Sequence, residues 1–408
     1  MNIAFVAHDV NQYAGPPRVT AALIERFYDD HEVSVFSPAI EGINLFKIKH
    51  YKVPTIPRTM TLSYLSFLIC STIILSFWQL LRRRNFGIIC STGYDCPFFA
   101  NVVTSHFCER ECYRLEKAGV IIMPAETTLR RLKAFDYRMY RRLVAFIEKL
   151  TFGGKSSKAR IVVSERLKED FFRHYGDAAE DIIVIPNGVD LKMFNPANRP
   201  LYRDRTRQKH GISNGDFVLL FVGGDWERKG LRHLIEALSL VSRPEVKLLV
   251  IGRGDTDFYA RLAREKAIGG KVTFVPHTDS VWEYYAATDV FVFPTIYEPF
   301  GLVIVEAMAS GLPVITSRSA GSADLITDGV DGLLLNEPRN VNDLAAKISL
   351  LLSDAQLRET MGKRARIAAE KISWDEVARR TLEVYTRVTL RREKVSSLST
   401  AEDRKRRR

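Results

Sequence analysis

Cysteine is scarce in this 408-residue chain: five residues, Cys70, Cys90, Cys96, Cys108 and Cys112, and none in the remaining three quarters. An odd count with no secretory leader ahead of it excludes a disulfide framework and points to reduced, cytosolic thiols. The leader is judged absent because residues 2–7, NIAFVA, open directly as a strand-like run. No cluster has the spacing of a common metal site. His106, Cys108 and Cys112 come nearest and match no usual zinc pattern, so no metal or other cofactor is expected. Nucleic-acid recognition motifs are missing too, although the formal charge of +12 asks for anionic partners such as phosphates or an acidic membrane surface. Charge itself is absent from only one long stretch, 59–81, which precedes Arg82-Arg-Arg84 and superficially resembles a membrane span. Six polar residues interrupt it, from Ser63 to Gln79, and strand candidates on either side need to share one sheet. A buried or membrane-surface helix is therefore expected.

What is present is strand–helix alternation from end to end, the mark of an α/β chain with parallel sheets. Apolar runs at 3–7, 33–36, 86–90, 102–104, 160–163 and 182–185 read as strands, with helices at 17–28, 62–82, 126–150 and 165–175 between them. Pro186-Asn-Gly-Val-Asp190 breaks the pattern, and a polar, basic stretch near 195–215 without apolar period reads as the domain boundary. The alternation then restarts, with strands at 217–222, 246–251, 272–275, 290–293, 313–316 and 333–335. Helices are expected near 229–241, 256–267, 279–286, 301–310, 340–352 and 355–370. The division predicted is a Rossmann-like first domain over 1–190, a second over 191–372, a helix over 373–392 returning to the first, and a basic disordered tail over 393–408. Two such sheets facing one another place a ligand at their strand ends, in the cleft between them.

Several features point at that cleft. Ala14-Gly-Pro-Pro-Arg18 joins the first strand to the first helix, where Gly15 lets a ligand approach and a helix start favours anions; a plain connection fits equally well. Gly223-Gly-Asp-Trp-Glu-Arg-Lys-Gly230 ends a strand and brings Arg228 and Lys229 to the start of a helix, against the dipole preference, which suits a shared phosphate or else a solvated pair. Ile251-Gly-Arg-Gly254 is a third strand end, carrying Arg253, and the Asp255-Thr-Asp257 that follows reads as helix capping. The fourth is EPFGLVIVE, residues 298–306. The three- and four-residue neighbours of Glu306 are Leu302, Val303, Ala309 and Ser310, so its carboxylate leaves the polar face and requires a hydrogen-bonding partner. Amides of Phe300, Gly301 and Leu302 can cap a diphosphate, Glu306 can accept from a vicinal diol, and Glu298 faces the rest of the ligand. Together these describe a nucleotide sugar.

The two glutamates with their embedded Pro-Phe-Gly-Leu, the Pro-Asn-Gly-Val-Asp linker, the Arg-Lys-Gly turn and Gly15 resemble the retaining glycosyltransferases of family 4, with the GT-B fold, over about residues 1–390. The resemblance implies that Glu306 binds the ribose hydroxyls and Glu298 the donor sugar. It implies that Arg228 and Lys229 neutralise the diphosphate, that Gly15 packs against it, and that His106 lines the sugar site. Arg18 is expected on the acceptor side. Three positions depart from the family pattern: Gly224 stands where an arginine is usual, Ala14 replaces the first glycine of the first loop, and Asp324 replaces a glutamate. The Gly223 turn weakly resembles transferases of lipopolysaccharide-core or other cell-surface glycan assembly. The implied activity is metal-independent transfer of a hexose, with retention, from a nucleoside-diphosphate sugar to a glycan or lipid-linked acceptor. A nucleotide-sugar 2-epimerase, a phosphorylase and a non-catalytic nucleotide-sugar sensor remain the alternatives. Ten cations between Arg130 and Arg160, interleaved with aromatics, read either as a surface for anionic lipid on the inner face of the cytoplasmic membrane or as a solvated amphipathic helix.

Overall fold

The computed structural model describes the chain except for residues 14, 82–85, 121–127, 154–158 and 407–408, together with the side chains of 81, 128–131 and 392–406. The first seven strands are β1 Asn2–Val6, β2 Glu32–Ser37, β3 Lys49–Lys52, β4 Ile88–Thr92, β5 Val102–Ser105, β6 Ala159–Val162 and β7 Ile183–Val184. They form one parallel sheet in the order β3-β2-β1-β4-β5-β6-β7. The next six are β8 Phe217–Val222, β9 Val246–Ile251, β10 Val272–Val275, β11 Val290–Phe293, β12 Val314–Ser317 and β13 Leu333–Leu335. They build a second parallel sheet, β10-β9-β8-β11-β12-β13. Every residue of β8 and β11 is buried, as expected of strands covered by helices on both faces. In each sheet the order reverses once, between β1 and β4 and between β8 and β11. The loops leaving those four strands therefore open a crevice at each reversal.

The chain crosses between the sheets twice, and the two crossings lie side by side. The Val189 amide donates to the Ile372 carbonyl at 3.1 Å. Gly188 lies so close to the Trp374 ring that a Cβ there would stand 2.6 Å from it. The helix Trp374–Arg406 packs on the helix Gly15–Phe27 of the first domain, with Phe27 and Tyr385 rings 5.9 Å apart. It continues beyond 392, so residues 393–406 are helical backbone where a disordered tail was expected. No glycine or proline follows Trp374 to stop it.

The stretch near 195–215, read as a linker, contains the helix Arg199–Lys209. Its buried face is cationic, which hid it from an apolar period: Arg199, Arg203 and Arg207 all donate to Asp289, at 3.0, 2.8 and 2.8 Å. Neither β3 nor the helix Glu109–Lys117 is among the elements expected above. The charge-free run forms the helix Met60–Ser76, continued by a π turn to Leu81. Among the described residues Met60–Leu80 is the one segment long and apolar enough to cross a membrane. It lies along the helix Thr128–Phe152 with Tyr64, Phe67, Ser71 and Leu75 buried, and leaves Ile69, Ile73, Phe77 and Leu80 exposed.

Candidate functional site

At the second crevice, β8 ends in Gly223, whose φ of +140° only glycine adopts comfortably. Lys229 explains the requirement in space as well, since its Nζ would lie 2.5 Å from a Cβ at Gly223. Gly230, left-handed at φ +81°, starts the helix Leu231–Leu240. Arg228 and Lys229 therefore sit in the turn before that helix and outside its first turn, where they were expected. The Lys229 ammonium has no ion-pair or hydrogen-bond partner among the described residues and lies 5.5 Å from the Phe293 ring centroid. Burial pulls it below its ordinary basicity, an effect that nearby Glu298 only partly offsets. Arg228 binds the Asp225 carboxylate through Nε at 2.6 Å, and donates to the Tyr297 carbonyl at 2.5 Å and to Glu298 Oε2 at 3.3 Å. Glu298 is thus fixed by backbone as well as side chain: its amide donates to the Ser319 carbonyl and its carbonyl accepts from Gly321.

Gly301, at φ +94°, caps the helix Leu302–Ala309; the Ile304 amide turns back to the Gly301 carbonyl at 3.0 Å, and the Leu302 and Val303 amides have no partner among the described residues. Phe300 is buried in the core beneath, and Leu302 is half-buried at the helix start. Ser322, fully buried beside Gly301, has an Oγ without a hydrogen-bond partner among the described residues. Arg253 stands exposed on the neighbouring loop, with its carbonyl against Gly224. Asp255 caps the helix Thr256–Glu265 by accepting from the Phe258 amide.

The partner that Glu306 requires comes from the other domain. Arg18 donates to Glu306 Oε1 at 2.6 Å, and the Tyr285 hydroxyl donates to Oε2 at 3.1 Å. Burial, with the carboxylate beside it, holds the Tyr285 hydroxyl far above its usual range, so it stays a donor. Arg18, expected on the acceptor side, reaches across the cleft to the Glu306 carboxylate with its guanidinium 5.7 Å from the Phe194 ring centroid. Gly15 starts the same helix at φ +53° with open space where a Cβ would point. The first turn there is a poor anion site, because Pro16 and Pro17 have no N–H. Behind the cleft the domains are tied again: Ser164 Oγ donates to the Pro299 carbonyl at 2.7 Å, and Tyr297 donates to buried Asp170 at 3.0 Å.

The first crevice holds a cavity of about 400 Å³. Its floor is the loop after β1, with His8 and Asp9, and the loop after β4, with Asp95; His106 lines it just beyond β5. Asp95 Oδ2 accepts from the His8 amide at 2.7 Å, while His8 contacts Asp9 at 3.3 Å and Ser63 at 3.0 Å. Burial drives Asp95 up to about 7 and His106 down to about 4. His106 therefore lines the first-domain cavity, whose lining includes none of Glu298, Arg228 and Lys229. His8, Asp9, Asp95 and Tyr285 escaped the sequence reading. A glycine-flanked loop signals the strand end Gly93-Tyr-Asp95, but nothing local marks the other three.

Of the ten cations between Arg130 and Arg160, Arg141 and Arg160 are buried. Arg141 pairs with Glu109 at 3.1 Å and with Glu116, and Arg160 lies 5.8 Å from the Phe152 ring centroid. Lys133, Arg138, Arg142 and Lys149 are exposed, while Arg130, Arg131, Lys155 and Lys158 fall outside the described side chains.

Two parallel-sheet α/β domains with facing crevices are the GT-B arrangement of glycosyltransferases. Residues 13–193 match the family model Glycosyltransferase Family 4, and residues 202–368 match Glycosyl transferases group 1. The chain belongs to this glycosyltransferase family. It is 32% identical over 245 residues to the lipopolysaccharide glucosyltransferase WaaG of Escherichia coli K12, covering 58% of this chain and 65% of that protein. It is 35% identical over 221 residues to a D-inositol 3-phosphate glycosyltransferase of Pseudarthrobacter chlorophenolicus, covering 52% and 51% respectively. These matches span about half to two thirds of the relatives' length. A crystal structure of WaaG shares the fold with a TM-score of 0.75 and 24% identity, over 94% of this chain and 99% of that one.

Proposed function

We propose that the protein transfers a sugar from a nucleoside-diphosphate donor, bound at the second crevice, to a hydroxyl of a glycan or lipid-linked acceptor held on the first domain. Lys229 is the observation that carries this reading. A half-desolvated ammonium without a counter-ion, laid over a glycine at a strand end, is built for an anion that arrives as ligand. Arg228, the Leu302 and Val303 amides and the buried Ser322 hydroxyl are the other donors around the Tyr297–Leu302 turn. Glu306 exchanges Arg18 for the ribose diol when the donor binds, and Glu298 accepts from the donor sugar. As the bond from anomeric carbon to phosphate oxygen breaks, the cations and amides absorb the charge on the leaving diphosphate. The acceptor oxygen forms the new bond on the same face and passes its proton to the departing phosphate, which retains configuration. Arg228 and Lys229 supply the positive charge, so the reaction proceeds without a metal.

In this reading the acceptor lies at a membrane surface, which the composition of the two helices walling the first cavity supports. Exposed Ile69, Ile73, Phe135 and Phe146 stand among exposed Lys133, Arg138, Arg142 and Lys149. Co-sedimentation with anionic vesicles that weakens as salt rises is the expected behaviour, and no binding at low salt would end this part of the reading. The activity itself is tested by screening nucleotide sugars for thermal stabilisation and then for nucleoside diphosphate release with and without acceptor. Glu306→Ala should fold and lose turnover. Binding without release under any acceptor would make the protein a sensor, and loss of activity in EDTA restored by Mn²⁺ would refute the metal-free scheme.

A further inference from the structure

The chain carries a net charge of +12, yet the cavity at the first crevice has no lysine or arginine among its described lining residues. Its charged groups are Asp9, Asp95 and Glu109, with His8 and His106. Glu109 pairs with the Arg141 guanidinium, which is shared with Glu116, and Arg18 beside Pro17 is paired with Glu306. None of the three helix starts there can hold an anion: at the helix Met60–Ser76 the Met60 and Thr61 amides already donate to Asp136 and the Leu62 amide to Thr59. The helix Gly15–Phe27 presents Pro16 and Pro17, which have no N–H to offer. At the helix Glu109–Lys117 the amides of Glu109 and Arg110 already donate to Glu148, at 2.6 and 3.3 Å. That carboxylate is fully buried and also accepts from Tyr94 and Tyr175, both at 2.7 Å, so it is fixed in place.

Taking the first cavity as the acceptor side, as the proposed function does, we propose that it accepts a sugar head carrying no anionic group: a neutral or amino sugar, and neither a sugar phosphate nor a uronic acid. Hydroxyls and an ammonium are donors that Asp9, Asp95 and the imidazoles can accept from. A phosphate would meet carboxylates and find no counter-charge, a juxtaposition that costs affinity in a partly desolvated site. Protonation does not rescue it. Asp9 is held ionised by His8, and burial keeps His106 neutral, so even a charged His8 with Asp95 and Glu109 protonated leaves the lining no better than neutral. Tyr64 and Tyr140, with rings 5.4 Å apart, supply apolar surface for the sugar's hydrogen-bearing face.

The test uses the full chain with whichever nucleotide sugar the screen identifies. Nucleoside diphosphate release is followed with p-nitrophenyl hexosides and p-nitrophenyl glucosaminide in one arm. Glucose 6-phosphate, inositol phosphate and p-nitrophenyl glucuronide form the other. Acceleration confined to the first arm is the expected result. Acceleration by the anionic arm, or by neither arm while the nucleoside diphosphate still stabilises the protein, overturns the inference and leaves the donor reading standing. If the diphosphate itself fails to bind, both readings fall. A charge reversal at the exposed lip, Asp9→Lys, should move the ratio of anionic to neutral acceptor rates by about tenfold or more toward the anion. An unchanged ratio in a folded variant overturns the inference as well.

Discussion

Lys229→Met should make the unliganded protein more stable and useless for binding, and the size of both effects follows from the environment of one ammonium. Lys229 Nζ lies over Gly223 and near Phe293 without a paired carboxylate among the described residues. Removing an ammonium from water costs several kcal/mol when burial is complete, and this side chain keeps some contact with the cleft. A methionine of similar length avoids that cost, so a gain of about 1–2 kcal/mol is expected, or roughly 2–8 °C in Tm for a domain of this size. With nucleoside diphosphate the order reverses. At about a hundred times Kd the wild type gains roughly 2.7 kcal/mol, whereas the variant loses a charge-assisted contact of about 1.5–3 kcal/mol and binds about ten- to a hundredfold more weakly. Turnover should fall by about a hundred- to a thousandfold, as when one preorganised donor is removed from a developing charge. Thermal unfolding with and without ligand reads both signs in one experiment. A variant less stable than wild type without ligand, or stabilised equally by it, would show that the cation is held by protein contacts and has no role toward a phosphate.

Arg18→Ala removes the guanidinium that holds Glu306 when no ligand is present. The uncharged nucleoside of the donor should then bind about tenfold more tightly, because it no longer displaces a charged hydrogen bond of about 1.5 kcal/mol; calorimetry showing no gain would mean that Arg18 does not compete. His106 and Asp95 give opposite pH dependences. The folded state resists protonating His106 down to about 4, so stability falls as pH drops below the ordinary histidine value of 6.5, whereas it holds a proton on Asp95 up to about 7 and so gains stability over the same descent. Denaturant melts between about pH 7 and 5 should therefore be flatter for wild type than for either variant, His106→Gln gaining by up to about 2 kcal/mol relative to wild type on acidification and Asp95→Asn losing, and parallel profiles would refute the opposition. Asp289→Ala strands three arginines, one of them 1% exposed, and should cost about 3–5 kcal/mol in chemical unfolding; a loss under 1 kcal/mol would mean that the helix Arg199–Lys209 is held by other contacts.

The strands of the second domain were legible almost to the residue, because each is a short, mainly apolar run, and burial of the central strands on both faces leaves little ambiguity. The same rule failed at the helix Arg199–Lys209, where the buried stripe is arginine and its reason, Asp289, lies 80 or more positions away. Glu306 shows the deeper limit. Its misfit in an apolar helix was visible from the neighbours three and four residues off, and that misfit correctly demanded a partner. The identity of the partner was not a local property. Arg18 belongs to another domain, 288 positions upstream, in a turn whose glycine and prolines advertise backbone geometry and say nothing of where a guanidinium points. In the proposed function a ribose takes the place of that arginine, and because either can donate to the carboxylate the sequence could specify the need without separating the two. The cleft follows from that ambiguity. A carboxylate that needs a partner in both states can exchange an internal donor for an external one, and it links donor binding to the contact between the two domains.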